Sequence, residues 1–106
     1  MIKKTITISV PHDLPQAEVK SRLQTKVADL RHQHASKIAQ VEEHWDGDRL
    51  DFRVAAMGQT LTGRIDVQPK MLVIQVDLPW LLAMLAQRLE PQVTQEARKM
   101  LESKSS

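Results

Sequence analysis

Four histidines could hold a metal ion or exchange a proton near neutral pH: His12, His32, His34 and His44. His32 and His34 lie two positions apart in a predicted helix, so their side chains point about 200° apart and cannot bind one ion together. His12 falls in a predicted loop and His44 in a predicted strand. The spacing therefore predicts no metal site, and we expect no cofactor.

Carboxylates gather around one predicted hairpin, where a pair could serve as general acid and base: Glu42, Glu43, Asp46, Asp48 and Asp51. A hairpin tip is open to water, whereas acid–base catalysis needs a carboxylate in a desolvated cleft. The absence of cysteine excludes a thiol nucleophile and a thiolate metal site. Three glycines are too few and too scattered for a phosphate loop. We predict no catalytic residues and a protein that is not an enzyme.

Basic side chains on the first predicted helix could contact a phosphate backbone: Lys20, Arg22, Lys26 and Arg31. Glu18 and Asp29 are interleaved with them. Aromatic side chains on which bases could stack are scarce, since the chain has two tryptophans and one phenylalanine. These features favour a solvated helix face, and we predict no nucleic-acid partner.

The stretch "VDLPWLLAMLAQRL", residues 76–89, has more apolar side chains than one helix stripe needs. Full burial against a wide sheet would account for them. Alternatively, part of this helix faces outward, as contiguous exposed apolar patches do at interfaces. The candidate binding residues are then Trp80, Leu81, Met84 and Leu85. The sequence leaves both explanations open.

Hydrophobic periodicity predicts the elements that carry these residues. Residues 2–10 alternate with period two, which is typical of a strand, and a single apolar stripe over residues 15–35 indicates an amphipathic helix. Four strands follow, separated by turns at residues 46–48, around Gly58 and at residues 68–70. A second helix should start at Pro79, with a kink or break near Glu90 caused by Pro91.

The predicted fold class is therefore α+β, with the order β-α-β-β-β-β-α. Short turns favour an antiparallel five-stranded sheet with both helices packed on one face. We favour the strand order 1-5-4-3-2. Residues 1–102 should form a single α+β domain, and residues 103–106 a frayed C-terminal tail.

The distribution of apolar residues also bears on localisation. The longest apolar run, residues 78–86, is far shorter than the roughly 20 residues of a membrane-spanning helix. The first ten residues alternate instead of forming the unbroken apolar run of a secretory leader. We expect no transmembrane segment and a cytoplasmic location.

Three stretches resemble the polyhydroxyalkanoic acid system family and together span nearly the whole chain. They are "ITISVPHDLPQAEVKSRL" (residues 6–23), "HWDGDRLDFRVAAMGQTLTGRIDV" (residues 44–67) and the stretch "VDLPWLLAMLAQRL". The most specific parts are "WDGDRL", "GQTLTGRIDV" and "DLPWLL". Members of this family are small bacterial proteins associated with polyhydroxyalkanoate storage genes. The resemblance brings no catalytic residues with it.

The resemblance implies a granule-associated protein whose partners are the polyhydroxyalkanoate granule surface or granule proteins. Such a surface is apolar, so the helix starting at Pro79 could bind there as an interfacial helix does. The alternative is a carrier of acyl or hydroxyacyl ligands, with a pocket between the sheet and the C-terminal helix lined by Phe52, Ile74 and Leu85. A homodimer formed through the same helix is a third explanation.

Overall fold

The computed structural model describes residues 4–33, 36, 38–56 and 58–102. The elements are β1 (Lys4–Pro11), α1 (Gln16–Gln33), β2 (Ile38–Asp46), β3 (Arg49–Ala56), β4 (Gln59–Val67), β5 (Met71–Leu78), a 3₁₀ helix (Trp80–Leu85) and α2 (Ala86–Leu101). The predicted α+β class and the order of strands and helices are confirmed. The predicted frayed tail, residues 103–106, lies outside the described residues.

The five strands form one antiparallel sheet in the order β1-β5-β4-β3-β2, as predicted. One register row crosses all five strands, running from Ile8 through Ile74, Ile65 and Leu50 to Trp45. Because side chains alternate between the two faces of a strand, this row puts apolar residues from every strand on one face. Of the row, Ile8, Ile74, Ile65 and Leu50 are buried, and Trp45 on the edge strand is half-buried.

Both helices cover this apolar face. Val19 and Leu23 of α1 are buried in the same cluster as Ala97 and Leu101 of α2. Leu72 on β5, the strand between β1 and β4, belongs to that cluster and is fully buried. A sheet with one covered face and one solvated face is the usual arrangement for antiparallel strands. The predicted packing of two helices on one face is therefore confirmed.

The opposite face of the sheet is polar. The row beside the one above carries Thr7, Gln75, Arg64, Asp51 and His44. Asp51 lies 3.6 Å from Arg49 and 3.9 Å from Arg64. Charges of opposite sign on neighbouring strands attract each other across the ladder, which suits a face in contact with water.

Burial decreases along α1. Val19 is fully buried, Leu23 is 5% exposed, Val27 is half-buried and Leu30 is 38% exposed. The apolar stripe of this helix in the sequence predicted that all four side chains would face the core. The last turn of α1 therefore covers the sheet less completely than the first turns do.

The helix at the C-terminal end of the chain differs from the prediction in two ways. The part after Pro79 begins as a 3₁₀ helix, and α-helical geometry starts only at Ala86. We predicted a kink or break near Glu90, and the break does not occur, because α2 continues through Pro91. Pro91 is exposed, so its ring lies on the solvent side, while Leu89 and Val93 on either side pack against the core.

Candidate functional site

The candidate site lies where the chain leaves the sheet. Pro79 has φ −58° and ψ 157°, an extended conformation that ends β5. The N–H of Leu82 then donates to the carbonyl of Pro79 at 2.8 Å, which closes the first turn of the 3₁₀ helix. A 3₁₀ helix has three residues per turn, so six residues point their side chains in three directions. This geometry cannot place six consecutive apolar or small residues on one buried stripe.

The exposed fractions follow that geometry. Ala86 is buried, while Leu82 and Leu89 are half-buried against the core. Met84 is 82% exposed and Leu85 is 38% exposed. These two candidate binding residues therefore face water at least in part. The side chains of the other two, Trp80 and Leu81, lie outside the described part of the structure.

Contacts between α1 and α2 show in which direction the two helices run relative to each other. Arg22 of α1 donates from Nη1 to the carbonyls of Met100 at 3.0 Å and Glu102 at 2.6 Å. One turn later, Lys26 pairs with Glu96. The helices thus run antiparallel, and a further turn along α1 places Leu30 toward the N-terminal half of α2. Leu30 is 38% exposed at this end of α1.

The Lys26–Glu96 pair gives this helix contact its electrostatic component. The Lys26 ammonium group hydrogen-bonds to the Glu96 carboxylate and attracts it, which lowers the pKa of Glu96 below its ordinary value of 4.5. Lys99, 4.0 Å away, adds a weaker attraction, and partial desolvation opposes both effects. The pair therefore links α1 to α2.

We define the apolar contact site as Met84 and Leu85. Gln87 and Arg88, which follow directly in α2, are exposed. The site thus joins large apolar side chains to a polar rim, the composition of surfaces that bind other apolar surfaces. Its side chains are chemically suited to apolar contact.

The histidines considered as ligands are not brought together. His12 is buried, its Nδ1 accepts from the N–H of Leu14 at 3.1 Å, and its Nε2–H donates to the carbonyl of Gln68 at 2.9 Å. His32 is exposed near the end of α1, and His44 is exposed on the outer face of the sheet. His34 lies outside the described residues. Within the described part of the chain, no group of three or more metal-binding side chains assembles.

The hairpin carboxylates are engaged with nearby cations and amides. Asp48 accepts from the amide of Gln16 at 3.1 Å and lies 3.5 Å from Lys20. Lys20 also lies 5.3 Å from the ring centre of Trp45, within cation–π distance. Glu43 accepts from Arg31 at 2.5 Å. These contacts link α1 to the β2–β3 hairpin, so Glu43 and Asp48 have an architectural role.

A family comparison bears on the whole chain. The family model described as polyhydroxyalkanoic acid system protein matches residues 6–101. The chain belongs to the polyhydroxyalkanoic acid system family. The matched region runs from β1 to the end of α2 and includes every residue of the apolar contact site. The resemblance seen in the sequence is therefore confirmed at the level of the family.

Three solved structures align with most of the chain. The crystal structure of Ara h 8.0201 is 11% identical, the alignment covers 94% of this chain and 95% of that chain, and the TM-score is 0.44. The crystal structure of TTHA0849 from Thermus thermophilus is 10% identical, with 93% of this chain and 92% of that chain covered and a TM-score of 0.34. The crystal structure of the Zhui aromatase/cyclase from Streptomyces sp. R1128 is 19% identical, with 96% of this chain and 84% of that chain covered and a TM-score of 0.30. No curated protein matches the chain. The fold assignment rests on the sheet topology and the core described above.

Two surface grooves border α2. The first lies between the end of β1 and the end of α2 and is lined by Val10, Pro11, His12, Asp13, Arg98, Leu101 and Glu102. The second follows the outer flank of α2 from Glu90 to Arg98. Neither groove is lined by Phe52, Ile74 or Leu85, the residues expected for an acyl pocket. Among the described residues, no helix is long and apolar enough to cross a membrane.

Proposed function

We propose that this member of the polyhydroxyalkanoic acid system family is a non-enzymatic accessory protein that adsorbs to the surface of polyester storage granules. The contact is made by the apolar contact site at the junction of the 3₁₀ helix and α2. One observation carries the proposal: Met84, a large apolar side chain, is 82% exposed beside Leu85 in the region matched by the family.

The physical argument starts from the free energy of exposure. Burying a large apolar side chain that water surrounds gains about 1.5–3 kcal/mol. Polyester presents a continuous apolar surface, against which Met84 and Leu85 could lose contact with water together. The flexible, polarisable thioether of methionine adapts to irregular surfaces, which suits a polymer without fixed geometry. The exposed polar residues that follow, Gln87 and Arg88, would remain hydrated at the rim.

The absence of catalysis is part of the proposal. Three groups that could serve as acids or bases have structural partners: both ring nitrogens of His12 are hydrogen-bonded, Glu43 pairs with Arg31, and Glu96 pairs with Lys26. These contacts support an accessory role. Polyester granules lie in the cytoplasm, so the proposal also assigns the protein to that compartment.

The carrier alternative has less support from the packing. Ile74, which would line an acyl pocket, is buried in the core. The ring of Phe52 lies against Gly63 on the neighbouring strand, so it fills the space above the sheet. Exposure at Met84 favours a surface that binds from outside over a pocket that encloses a ligand.

Co-sedimentation with polyester particles tests the proposal. Purified protein is mixed with protein-free polyhydroxyalkanoate particles and, separately, with native granules. Met84→Glu should weaken adsorption by roughly tenfold or more, because the variant loses an apolar contact of about 1.5–3 kcal/mol and must desolvate a charge. Met84→Leu, which stays apolar, should adsorb like the unchanged protein.

Gln95→Glu is the matched control, since it adds the same charge to an exposed position of α2 away from the contact site. It should adsorb normally. Equal pelleting of the Met84→Glu variant and the unchanged protein would refute the proposal. Adsorption to native granules but not to protein-free particles would replace the polyester surface with a granule protein as the partner.

A further inference from the structure

The methionines of the described chain differ sharply in exposure. Met84 is 82% exposed, whereas Met71 on β5 and Met100 on α2 are half-buried. Oxidation of a thioether requires access of the oxidant to sulfur, so exposure ranks the three sites. The two other methionines of the chain, Met1 and Met57, lie outside the described residues.

We propose that Met84 is an oxidation site whose conversion to the sulfoxide by a peroxide releases the protein from its apolar surface. This inference rests on the adsorption proposed above and adds its regulation. The observation behind it is that the most exposed of the three described methionines, Met84, also belongs to the apolar contact site.

The chemistry balances with peroxide as the named oxidant. A lone pair of the Met84 sulfur attacks one peroxide oxygen and forms the S–O bond while the O–O bond breaks. For hydrogen peroxide, the departing hydroxide takes the proton from the oxygen that is now bound to sulfur and leaves as water, and the sulfoxide remains. Sulfur loses two electrons, and the peroxide gains them. Methionine sulfoxide reductases reverse this conversion, so the release would be reversible.

The location of Met84 determines what oxidation changes. A sulfoxide is polar and strongly hydrated, so a surface of apolar polymer should no longer bind it well. The side chain contributes little to the core, because most of it already faces water. Oxidation at Met84 should therefore change adsorption and leave the fold unaffected. Oxidation at half-buried Met71 or Met100 would instead disturb packing.

Adsorption should also protect the sulfur. A side chain pressed against polymer is shielded from dissolved peroxide, whereas Met71 and Met100 should be oxidised at the same rate in the free and adsorbed protein. Peptide mapping after a brief hydrogen peroxide pulse measures each rate. We expect Met84 to be oxidised before Met71 and Met100 in solution, and several-fold more slowly on polyhydroxyalkanoate particles than in solution.

The decisive experiment combines peroxide treatment with co-sedimentation on protein-free polyhydroxyalkanoate particles. The unchanged protein should lose roughly tenfold or more in adsorption as Met84 is converted, with unaltered circular dichroism, and should recover after reductase treatment. Met84→Leu, treated identically, keeps its other methionines oxidisable and should still adsorb. This variant separates oxidation of Met84 from oxidation elsewhere.

The outcomes separate the two proposals. If the unoxidised protein does not adsorb, the proposed function fails and this inference fails with it. If the protein adsorbs but full conversion of Met84 leaves adsorption unchanged, only the oxidation inference is overturned. Loss of adsorption by oxidised Met84→Leu, or slower oxidation of Met84 than of Met71 and Met100, would overturn it as well.

Discussion

Gly63 lies on β4 at a point where two other groups occupy the space of a side chain. An ideal Cβ there would be 2.3 Å from Cζ of Phe52 and 2.5 Å from the carbonyl oxygen of Gln75. Phe52 pairs with Gly63 across the β3–β4 ladder, so its ring lies over the glycine. A ring placed over a glycine protects a backbone that lacks its own side chain, a device used to stabilise strands.

We expect Gly63→Ala to lower the free energy of unfolding by about 1–3 kcal/mol, the usual cost of overpacking. Urea denaturation gives this difference directly. Adding Phe52→Leu should recover part of the loss, because the ring is displaced while the Gln75 carbonyl remains in the way. An unchanged midpoint for Gly63→Ala would show that β4 can move away from its neighbours.

Gly58→Ala provides the contrast at a glycine with open space. Gly58 has φ 75° and nothing within 4 Å of an added Cβ. Its substitution should cost only the backbone strain of a left-handed residue, about 1–2 kcal/mol, and Phe52→Leu should not alter that cost. Comparing the two variants thus separates the destabilisation caused by steric crowding from that caused by backbone conformation.

The sequence could assign Gly58 and Gly63 to architecture but could not distinguish their reasons. A turn glycine such as Gly58 can be recognised from its place between two stretches of strand alternation. A glycine under an aromatic ring depends on the register of two strands. His12 illustrates the same limit: its residue type suggested metal ligation, while its hydrogen bonds to Leu14 and Gln68 depend on the fold.

At the scale of elements, the direction in which pH changes the stability of the α1–α2 contact can be predicted. The pKa of Glu96 is lowered in the folded protein, so its ionised form is favoured by folding. This stabilisation is present above pH 4.5, the ordinary value, and is lost as the pH falls through the lowered pKa. Both side chains are partly exposed, so salt should weaken the effect.

We expect Glu96→Gln to be less stable than the unchanged protein at pH 7 and equally stable at a pH well below the lowered pKa of Glu96. Urea midpoints measured at the two values test this. In a Lys26→Met background the pH-dependent difference should shrink, because the main cause of the shift is gone. A difference that persists unchanged at low pH would assign the effect to packing instead.

The elements also show where sequence patterns lose resolution. Strand alternation predicted β1 to β5 to within two residues, because period two is distinct from helical spacing. Over six residues, helices with 3.0 and 3.6 residues per turn give nearly the same pattern of apolar side chains. The sequence pattern therefore does not distinguish the 3₁₀ helix from the start of α2. The local chemistry of Pro91 predicted a kink or break, whereas α2 runs from Ala86 to Leu101 with Pro91 inside it.

At the scale of the whole molecule, the strand order followed from connection lengths. Three short turns fix β2 to β5 as a meander, and β1 can then pair only at one of its edges. Pairing beside β5 brings Ile6, Ile8 and Val10 under α2, where all three are buried. The apolar contact site was less predictable, because the number of apolar residues in the stretch does not reveal which of them the sheet can cover.

The oligomeric state tests what covers the apolar contact site in solution. Association costs about 4–15 kcal/mol in lost freedom of motion, and the exposed large apolar residues of the described chain are Leu30, Met84 and Leu85. Two of these are little more than one-third exposed, so a symmetric contact should barely offset that cost. A granule surface is less demanding, because an adsorbed protein can still move along it. We therefore expect a sedimentation coefficient that does not change with concentration in the micromolar range, identical for the unchanged protein and for Met84→Glu. A dimer that Met84→Glu dissociates would make a second copy the occupant of the site, and polyester would then have to compete with it.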